Sequence, residues 1–333
     1  MSSIILENVP GKFTDSASFS TTATSEVNVR KSRRERPGNS TTAERKLQML
    51  RRSGLFSEDL KGAKIERACG IDDLRNAYRL VHDVYLGTGF IDPEPSGMRL
   101  RIFETNPDTA TFVAKVGDRV VGVLSVVVDS EDLGLPSDCA FKPELDRLRA
   151  TGAKLCEVTN QAVAEEFRKS GVSTELMRCA IALALDAGCH EAVAAVSPSH
   201  NGFYDLLGFR QVGSQRSYSE KIYDPVIAVS LEVTQYRRRQ PARGPIAQFM
   251  YDFLTEGNQF LSCVAEWAKE AKAHFMNPAL LHELFVNERN FIGECSPEEL
   301  AFLHRRWGEE LFEAVTSGNH AHAHREHGDG FGI

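Results

Sequence analysis

The chain has 333 residues, of which 42% are hydrophobic and 26% are charged, and this balance is typical of a soluble globular protein with a large core. It contains 39 lysine and arginine residues against 46 aspartate and glutamate residues, so the formal net charge is −7. An acidic chain argues against nucleic-acid binding, because neutralising phosphates requires positive charge. The longest apolar stretch is 120–128, whereas a membrane-spanning helix needs about 20 residues. We therefore expect no transmembrane segment.

The N-terminus and the cysteines indicate the cellular compartment. No basic residue precedes the short apolar patch at the N-terminus, so we expect no secretory signal. The seven cysteines are an odd number without a C-x-x-C pair, which argues against a disulfide framework or a zinc ribbon. We expect free cysteines, no metal site and a cytoplasmic location.

Composition divides the chain into four regions. Residues 1–60 form a basic, Ser- and Thr-rich arm that we expect to be largely disordered, with one short helix at 43–52 capped by Thr42. Residues 61–235 form the main domain, and residues 240–318 form a helical extension. Residues 319–333 form a polar tail that contains histidines, and a flexible tail explains it better than a metal site.

Strand and helix patterns alternate within residues 61–235. In chain order the predicted elements are a strand at 64–68, helices at 71–85 and 97–103, a hairpin at 111–116 and 120–128, a strand at 154–163, a helix at 171–187, a strand at 192–196, a short helix at 199–206, and strands at 209–212 and 226–231. The connection that contains Pro136 and Pro143 is predicted to be a loop. Gly188 is predicted to end the long helix in a left-handed conformation.

Residues 245–316 are predicted to be entirely helical. The sequence Ser-Pro-Glu-Glu at 296–299 favours a helix start, because it combines a capping serine, proline in the first turn and acidic residues at the positive end of the helix dipole. This helical layer covers an acyl tunnel or forms the surface of a homodimer. Both would bury apolar stripes, so the sequence does not distinguish them.

The turn at 168–173 has the features of a phosphate site. Small residues lead from a strand into a helix, so several backbone N–H groups are expected to be unpaired at the positive end of the helix dipole. Gly171 would allow the backbone to approach a ligand closely. Arg168 and Lys169 add positive charge at the same place.

The order of elements around this turn, together with Leu207-Gly208-Phe209, resembles the GNAT acyltransferase fold. Arg168, Gly171 and Ser173 follow that family's R/Q-x-x-G-x-G/A pattern, with serine in place of the last small residue. The resemblance implies an α/β (α+β) protein with a mixed central sheet flanked by helices. It implies an acyl thioester donor as co-substrate and no permanently bound cofactor. The donor-binding residues would be Ala162, Val163, Arg168, Lys169, Ser170, Gly171, Val172 and Ser173.

A narrower resemblance rests on the sequence EVTNQAV at 157–163, SPSHNGFY at 197–204 and LGF at 207–209. These stretches resemble the FeeM-type N-acyl amino acid synthases, which are relatives of the acyl-homoserine-lactone synthases. The resemblance implies transfer of a medium or long acyl chain from acyl carrier protein, or from coenzyme A, to the amine of a small acceptor, most simply an amino acid. The family's strand motif is approximately E-x-S-R-x-A-V, and Asn160 stands at its arginine position. That replacement removes an obvious partner for a substrate carboxylate.

Three side chains are candidates for the chemistry. Glu157 would accept the proton of the attacking amine, or it would only pair with a base or orient substrate. Tyr204 would protonate the leaving thiolate, or it is a packed aromatic residue. His200 would act as a base or contact the acyl carrier, although a polar residue at a helix start explains it as well. The resemblance further implies that backbone N–H groups near Ala162 and Val163 bind the thioester carbonyl.

The sequence does not distinguish this function from two others. The chain is also compatible with an acetyl-CoA-dependent N-acetyltransferase, or with a ligand-sensing or binding module that has the fold without turnover. The basic run at 237–239 either attracts an acidic acyl carrier protein or is a charged linker.

Overall fold

A single mixed sheet organises the protein. The computed structural model describes residues 42–52, 56–219, 222–237, 244–275 and 277–318. The seven strands described are β1 (Lys64–Arg67), β2 (Ala110–Val116), β3 (Arg119–Val128), β4 (Leu155–Val163), β5 (Glu191–Val196), β6 (Arg210–Ser219) and β7 (Ile222–Glu232). Their order in the sheet is β1-β2-β3-β4-β5-β7-β6. Only β4 and β5 pair in parallel, whereas all other neighbouring strands are antiparallel. The predicted mixed sheet is confirmed.

Helices flank both faces of this sheet. They are α1 (Thr42–Arg52), α2 (Ile71–Gly87), α3 (Asp138–Arg149), α4 (Val172–Asp186), α5 (Asn201–Leu206), α6 (Thr234–Arg237), α7 (Pro245–Leu254), α8 (Val264–Phe275), α9 (Pro278–His282), α10 (Pro297–Trp307) and α11 (Glu309–Ser317). A π-helical segment, Glu283–Glu288, continues α9. Within the part of the chain that the structure describes, every helix is too short or too polar to cross a bilayer.

One predicted helix and one predicted loop are wrong. The helix predicted at 97–103 is absent, and only a 3-10 turn forms at Ile102–Thr105, because Gly97 is left-handed and Arg101 is extended. The predicted loop around Pro143 contains α3 instead. Phe141 interrupts this helix with non-helical backbone angles. Pro143 then falls in the first turn after the interruption, where its missing N–H has no helical partner to lose.

The other local predictions agree closely with the structure. The hairpin β2–β3 and helix α4 are present, and Gly188 is left-handed with φ of 77°. Strands β6 and β7 are longer than predicted. The antiparallel ladder continues past the predicted ends of both strands, with Arg216 opposite Val226 and Ser217 opposite Pro225.

The carboxyl-terminal extension packs against both faces of the main domain. Helix α8 joins the apolar cluster that α4 forms with one face of the sheet. Helices α9 to α11 join the cluster around α2 and α3 on the opposite face. Helix α10 begins with the predicted capping box between Ser296 and Glu299, and Trp307 at its end donates its Nε1–H to the Thr105 carbonyl at 3.0 Å. The extension is therefore part of the same packed body.

The described part of the amino-terminal arm is also packed. Helix α1 contacts α7. The Phe56 ring meets Phe249 and Phe253 edge-on, with ring centroids 5.1 and 5.0 Å away. The remainder of the predicted disordered arm, residues 1–41 and 53–55, and the histidine-containing tail lie outside the described residues.

Candidate active site

Strand β4 is paired along its whole length on one side only. It pairs with β3 up to Val163, whereas its ladder with β5 covers only residues 155–157. Beyond Glu157 the two parallel strands separate, so the β5-facing edge of residues 158–163 has no partner strand among the described residues. Ala162 and Val163, predicted to bind the donor, lie on this open stretch. Such an edge offers backbone N–H groups to a ligand inserted between the strands.

A β-bulge interrupts β4 within the open stretch. Thr159 lies opposite Ser125 and Ala162 opposite Val123, which leaves two residues of β4 facing one residue of β3. Asn160 occupies the bulge with a left-handed φ of 53°, and asparagine adopts this conformation more readily than most residues. Asparagine at the motif's arginine position therefore allows the left-handed backbone conformation that the bulge requires.

The Asn160 side chain belongs to a buried polar cluster. Its amide donates to Glu104 Oε1 at 2.8 Å, and Arg101 donates through Nη2 to the same oxygen at 2.6 Å and to Asn160 Oδ1 at 3.3 Å. Burial works against the charge on Arg101, but the Glu104 carboxylate outweighs it and raises the pKa of the guanidinium. Burial likewise opposes ionisation of Glu104, yet the charge of Arg101 and their hydrogen bond lower its pKa. The two residues form a neutral pair beneath the bulge.

Glu157 is fully buried on the strand just before the bulge. Ser137 holds both of its carboxylate oxygens, donating its backbone N–H to Oε2 and its hydroxyl to Oε1, each at 2.8 Å. Burial raises the pKa of Glu157, and the Ser137 hydrogen bonds only partly offset this. A carboxylate with uncharged partners and a raised pKa is suited to accept a proton near neutral pH.

Several buried polar atoms near the open edge have no hydrogen-bond partner within the protein. They are Thr159 Oγ1, both amide atoms of Gln161, and the hydroxyl of Ser173 at the start of α4. All three residues are at most 1% exposed. Buried polar groups are nearly always hydrogen-bonded, so these atoms mark positions where a bound ligand would supply the missing partner.

The predicted phosphate turn is covered by residues 57–60. Ser170, Gly171 and Ser173 are buried, and the Gly171 N–H donates to the Asp59 carbonyl at 3.3 Å. A Cβ atom at Gly171 would lie 1.9 Å from the Ser57 carbonyl oxygen. This N–H was expected to be unpaired, and it is not. A donor phosphate would therefore have to displace this segment to reach it.

The charged residues of the turn lie farther out. Arg168 is half-buried, and its Nε donates to the Val163 carbonyl at the limiting distance of 3.5 Å. Lys169 is exposed, and Val172 begins α4 as a buried residue.

Tyr204 and His200 follow β5 on the far side of the open edge. Tyr204 lies in α5, is 2% exposed, and packs edge-on against Phe209 with ring centroids 5.2 Å apart. His200 ends the 3-10 turn that precedes α5 and is half-buried. The apolar cluster around Tyr204 comprises residues of α4, β5 and β7. The catalytic roles of both residues stay predictions.

Sequence reasoning missed four residues of the buried polar region around Glu104 and Glu157: Arg99, Arg101, Ser137 and Tyr218. Tyr218 donates its hydroxyl to the Pro136 carbonyl at 2.9 Å, directly before Ser137, and burial raises its pKa. Ser137 lies in a segment predicted as loop, and the two arginines lie in one predicted as helix. The only available signal was the alternation of basic and apolar residues at 99–102, which indicates an extended segment with one buried side.

One cavity lies away from this region. It has a volume of about 530 Å³ and is lined among others by Arg67, Asp129 and Lys154, beside the beginning of β4. None of the predicted site residues lines it, so the candidate site rests on the open edge and the buried polar groups.

The seven-stranded mixed sheet with helices on both faces agrees with the predicted GNAT-like fold. Residues 76–232 match the family model described as N-acyl amino acid synthase FeeM, just under half of the chain. The predicted resemblance and the assignment as an N-acyltransferase are confirmed by this match.

The chain is also similar to solved structures of three proteins. The structure of FeeM, an N-acyl amino acid synthase from uncultured soil microbes, is 27% identical, covers 56% of this chain and 97% of its own, and has a TM-score of 0.49. BjaI, a CoA-dependent acyl-homoserine lactone synthase solved with SAM and isopentyl-CoA, is 17% identical, with coverages of 58% and 99% and a TM-score of 0.39. A putative N-acetyltransferase from Lactobacillus plantarum is 13% identical, with coverages of 52% and 99% and a TM-score of 0.38. No curated protein matches the chain.

Proposed function

We propose that this N-acyltransferase moves a medium or long acyl chain from an acyl thioester to the amine of an amino acid. The observation that supports it most directly is Glu157, a buried carboxylate with a raised pKa at the entrance to the open edge of β4. Thr159 and Gln161, on the open stretch of β4, and Ser173, at the start of α4, carry buried polar atoms without a partner in the protein. In this proposal the bound donor supplies their missing partners.

The reaction follows from these positions. The acceptor amine attacks the thioester carbonyl, and Glu157 takes the proton that the amine must lose. Backbone N–H groups near Ala162 and Val163 stabilise the oxyanion that develops on the carbonyl oxygen. When the carbon–sulfur bond breaks, the thiolate leaves and takes a proton from Tyr204, because the pKa values of phenols and thiols are close enough for transfer. The phosphate of the donor binds at 168–173 after displacing residues 57–60, which cover this turn in the ligand-free structure.

The donor is acyl carrier protein or coenzyme A, which share the phosphopantetheine thioester. The carboxyl-terminal extension adds apolar side chains on both faces of the sheet, and this favours a donor with a longer chain than acetyl. A carrier protein is acidic, so it would use basic side chains at the rim of the site, among which Lys169 is exposed.

The test is a matrix of donors and acceptors. Purified protein is incubated with acetyl-CoA, octanoyl-CoA, palmitoyl-CoA or the corresponding acyl carrier protein thioesters, and with each of the twenty protein amino acids. Thiol release and mass spectrometry of the products are recorded together. N-acyl amino acids from the longer donors support the proposal. Efficient transfer from acetyl-CoA alone identifies an N-acetyltransferase, and donor binding without transfer to any amine identifies a binding module.

A further inference from the structure

Arg99 is a second arginine beside the buried polar cluster, and Glu104 attracts it electrostatically without forming an ion pair with it. Its Nε is fully buried without a hydrogen bond, and none of the ion pairs among the described residues includes it, whereas Arg101 nearby is paired with Glu104. Burial lowers the pKa of Arg99. An arginine with a buried donor and no counter-ion is costly in a folded protein, so its retention calls for a physical explanation.

The backbone holds Arg99 firmly in this position. Its N–H donates to the Tyr78 carbonyl at 3.1 Å, and the neighbouring side chains of Met98 and Leu100 are 0% and 8% exposed. Both neighbours belong to the core cluster that contains α2 and β4 residues. The Arg99 side chain is therefore directed by a fixed backbone, and the residue keeps some accessible surface.

The aromatic contact of Arg99 does not replace an anion. The guanidinium carbon lies 5.3 Å from the centroid of the Tyr85 ring, which gives a cation–π attraction. A ring face, however, does not accept the five N–H groups of a guanidinium in their planar arrangement. A carboxylate accepts two of them in parallel.

The charges of the cluster leave two groups without ionic partners. Arg101 and Glu104 neutralise one another. Glu157 is held by Ser137, which is uncharged. What remains is one guanidinium and one carboxyl group, and this pair complements a zwitterion that carries an amine and a carboxylate.

We propose that Arg99 binds the carboxylate of the acceptor and thereby restricts the acceptor to amino acids, with the amine directed to Glu157. This inference rests on the proposed acyl transfer to an amine. It supplies the carboxylate partner that Asn160, at the motif's arginine position, does not provide. Arg99 is thus a specificity-determining residue, and it lies in a different segment of the chain from the motif on β4.

The experiment compares each amino acid that the wild type accepts with its methyl ester, which has the amine but no charged carboxylate. Binding is measured by calorimetric titration and transfer by thiol release. The wild type should bind the free amino acid more tightly than the ester. Arg99→Met should raise the Kd and the KM of the amino acid about 10-fold to 100-fold, as for loss of a hydrogen bond between charged groups. The values for the ester and the affinity for acyl-CoA should not change.

Two further variants test the interpretation. Arg99→Lys keeps the charge without the bidentate geometry, so it should restore part of the preference for the free amino acid. Arg79→Met removes an exposed arginine of α2, 3.5 Å from Glu288, and should leave both acceptors unaffected. If Arg99→Met weakens amino acid and ester equally, or if the wild type shows no preference between them, the inference is wrong. If the wild type binds amino acids through Arg99 but transfers no acyl group to them, the proposed function is wrong, whereas the inference that Arg99 binds the carboxylate is supported.

Discussion

Replacing Glu157 by glutamine tests the proposed base with little structural change. In the native protein Ser137 donates its N–H and its hydroxyl to the two carboxylate oxygens, each at 2.8 Å. The glutamine oxygen can accept from the Ser137 N–H, and its amide can donate to the Ser137 hydroxyl oxygen. Both contacts therefore survive, and only the proton acceptor is lost. We expect turnover to fall about 100-fold to 10,000-fold, the usual contribution of general-base catalysis.

The assay is steady-state thiol release across pH. Because burial raises the pKa of Glu157 above its ordinary value of 4.5, the wild-type rate should rise as this group loses its proton. In Glu157→Gln the rise in rate that follows deprotonation of Glu157 should disappear. Higher pH should still restore part of the rate, because more of the acceptor amine is then deprotonated. Donor binding should change little, because the phosphate site proposed at 168–173 does not include Glu157.

The matched control is Glu191→Gln, another strand carboxylate, 9% exposed and paired with Arg210 of β6 across the intervening strand β7. It should retain most of the turnover. Wild-type turnover in Glu157→Gln at neutral pH would refute the base assignment. A raised acceptor KM with an unchanged pH profile would show that Glu157 only orients the acceptor.

Four other outcomes are expected. Gly171→Val should abolish acyl-CoA binding in a calorimetric titration; because its side chain also clashes with the Ser57 carbonyl oxygen, the unfolding free energy in urea should fall as well, and unchanged affinity in the folded variant would remove the phosphate assignment. Ser296→Ala should lower the unfolding free energy by about 1 kcal/mol in urea through loss of a helix cap, with kcat/KM unaffected. Asn160→Val should lower the unfolding free energy by about 1–2 kcal/mol more than Asn160→Gly does, because a β-branched residue is strained at a φ of 53°. Equal decreases in unfolding free energy for the two variants would contradict the role given to Asn160 in the bulge. Because the raised pKa of Glu157 means that the native state binds this proton more tightly than the unfolded state, its contribution to stability declines as pH rises above 4.5. Glu157→Gln should thus gain unfolding free energy relative to the wild type between about pH 5 and pH 8.

Local signals in the sequence were sufficient for most elements of the main domain. Hydrophobic periodicity predicted the hairpin β2–β3 and helices α2 and α4, and Ser296 predicted the start of α10. These features depend on neighbouring residues, because a turn or a cap involves positions only a few residues apart. The motif around Glu157 and Gly171 was likewise contiguous enough to indicate the acyltransferase fold. The sequence alone therefore indicated the candidate base and the candidate phosphate turn.

Tertiary structure decided which side chains meet at the site. Arg99 and Ser137 lie 58 and 20 residues from Glu157 in the chain, in segments whose local patterns predicted a helix and a loop, and only the folded sheet brings them to the same region. The left-handed backbone of Asn160 depends on the register between β3 and β4. The cover over Gly171 comes from residues that composition assigned to a disordered arm. Contacts of this kind involve residues far apart in the chain, and local propensity carries no information about them because their energy arises only when the sheet and helices have packed.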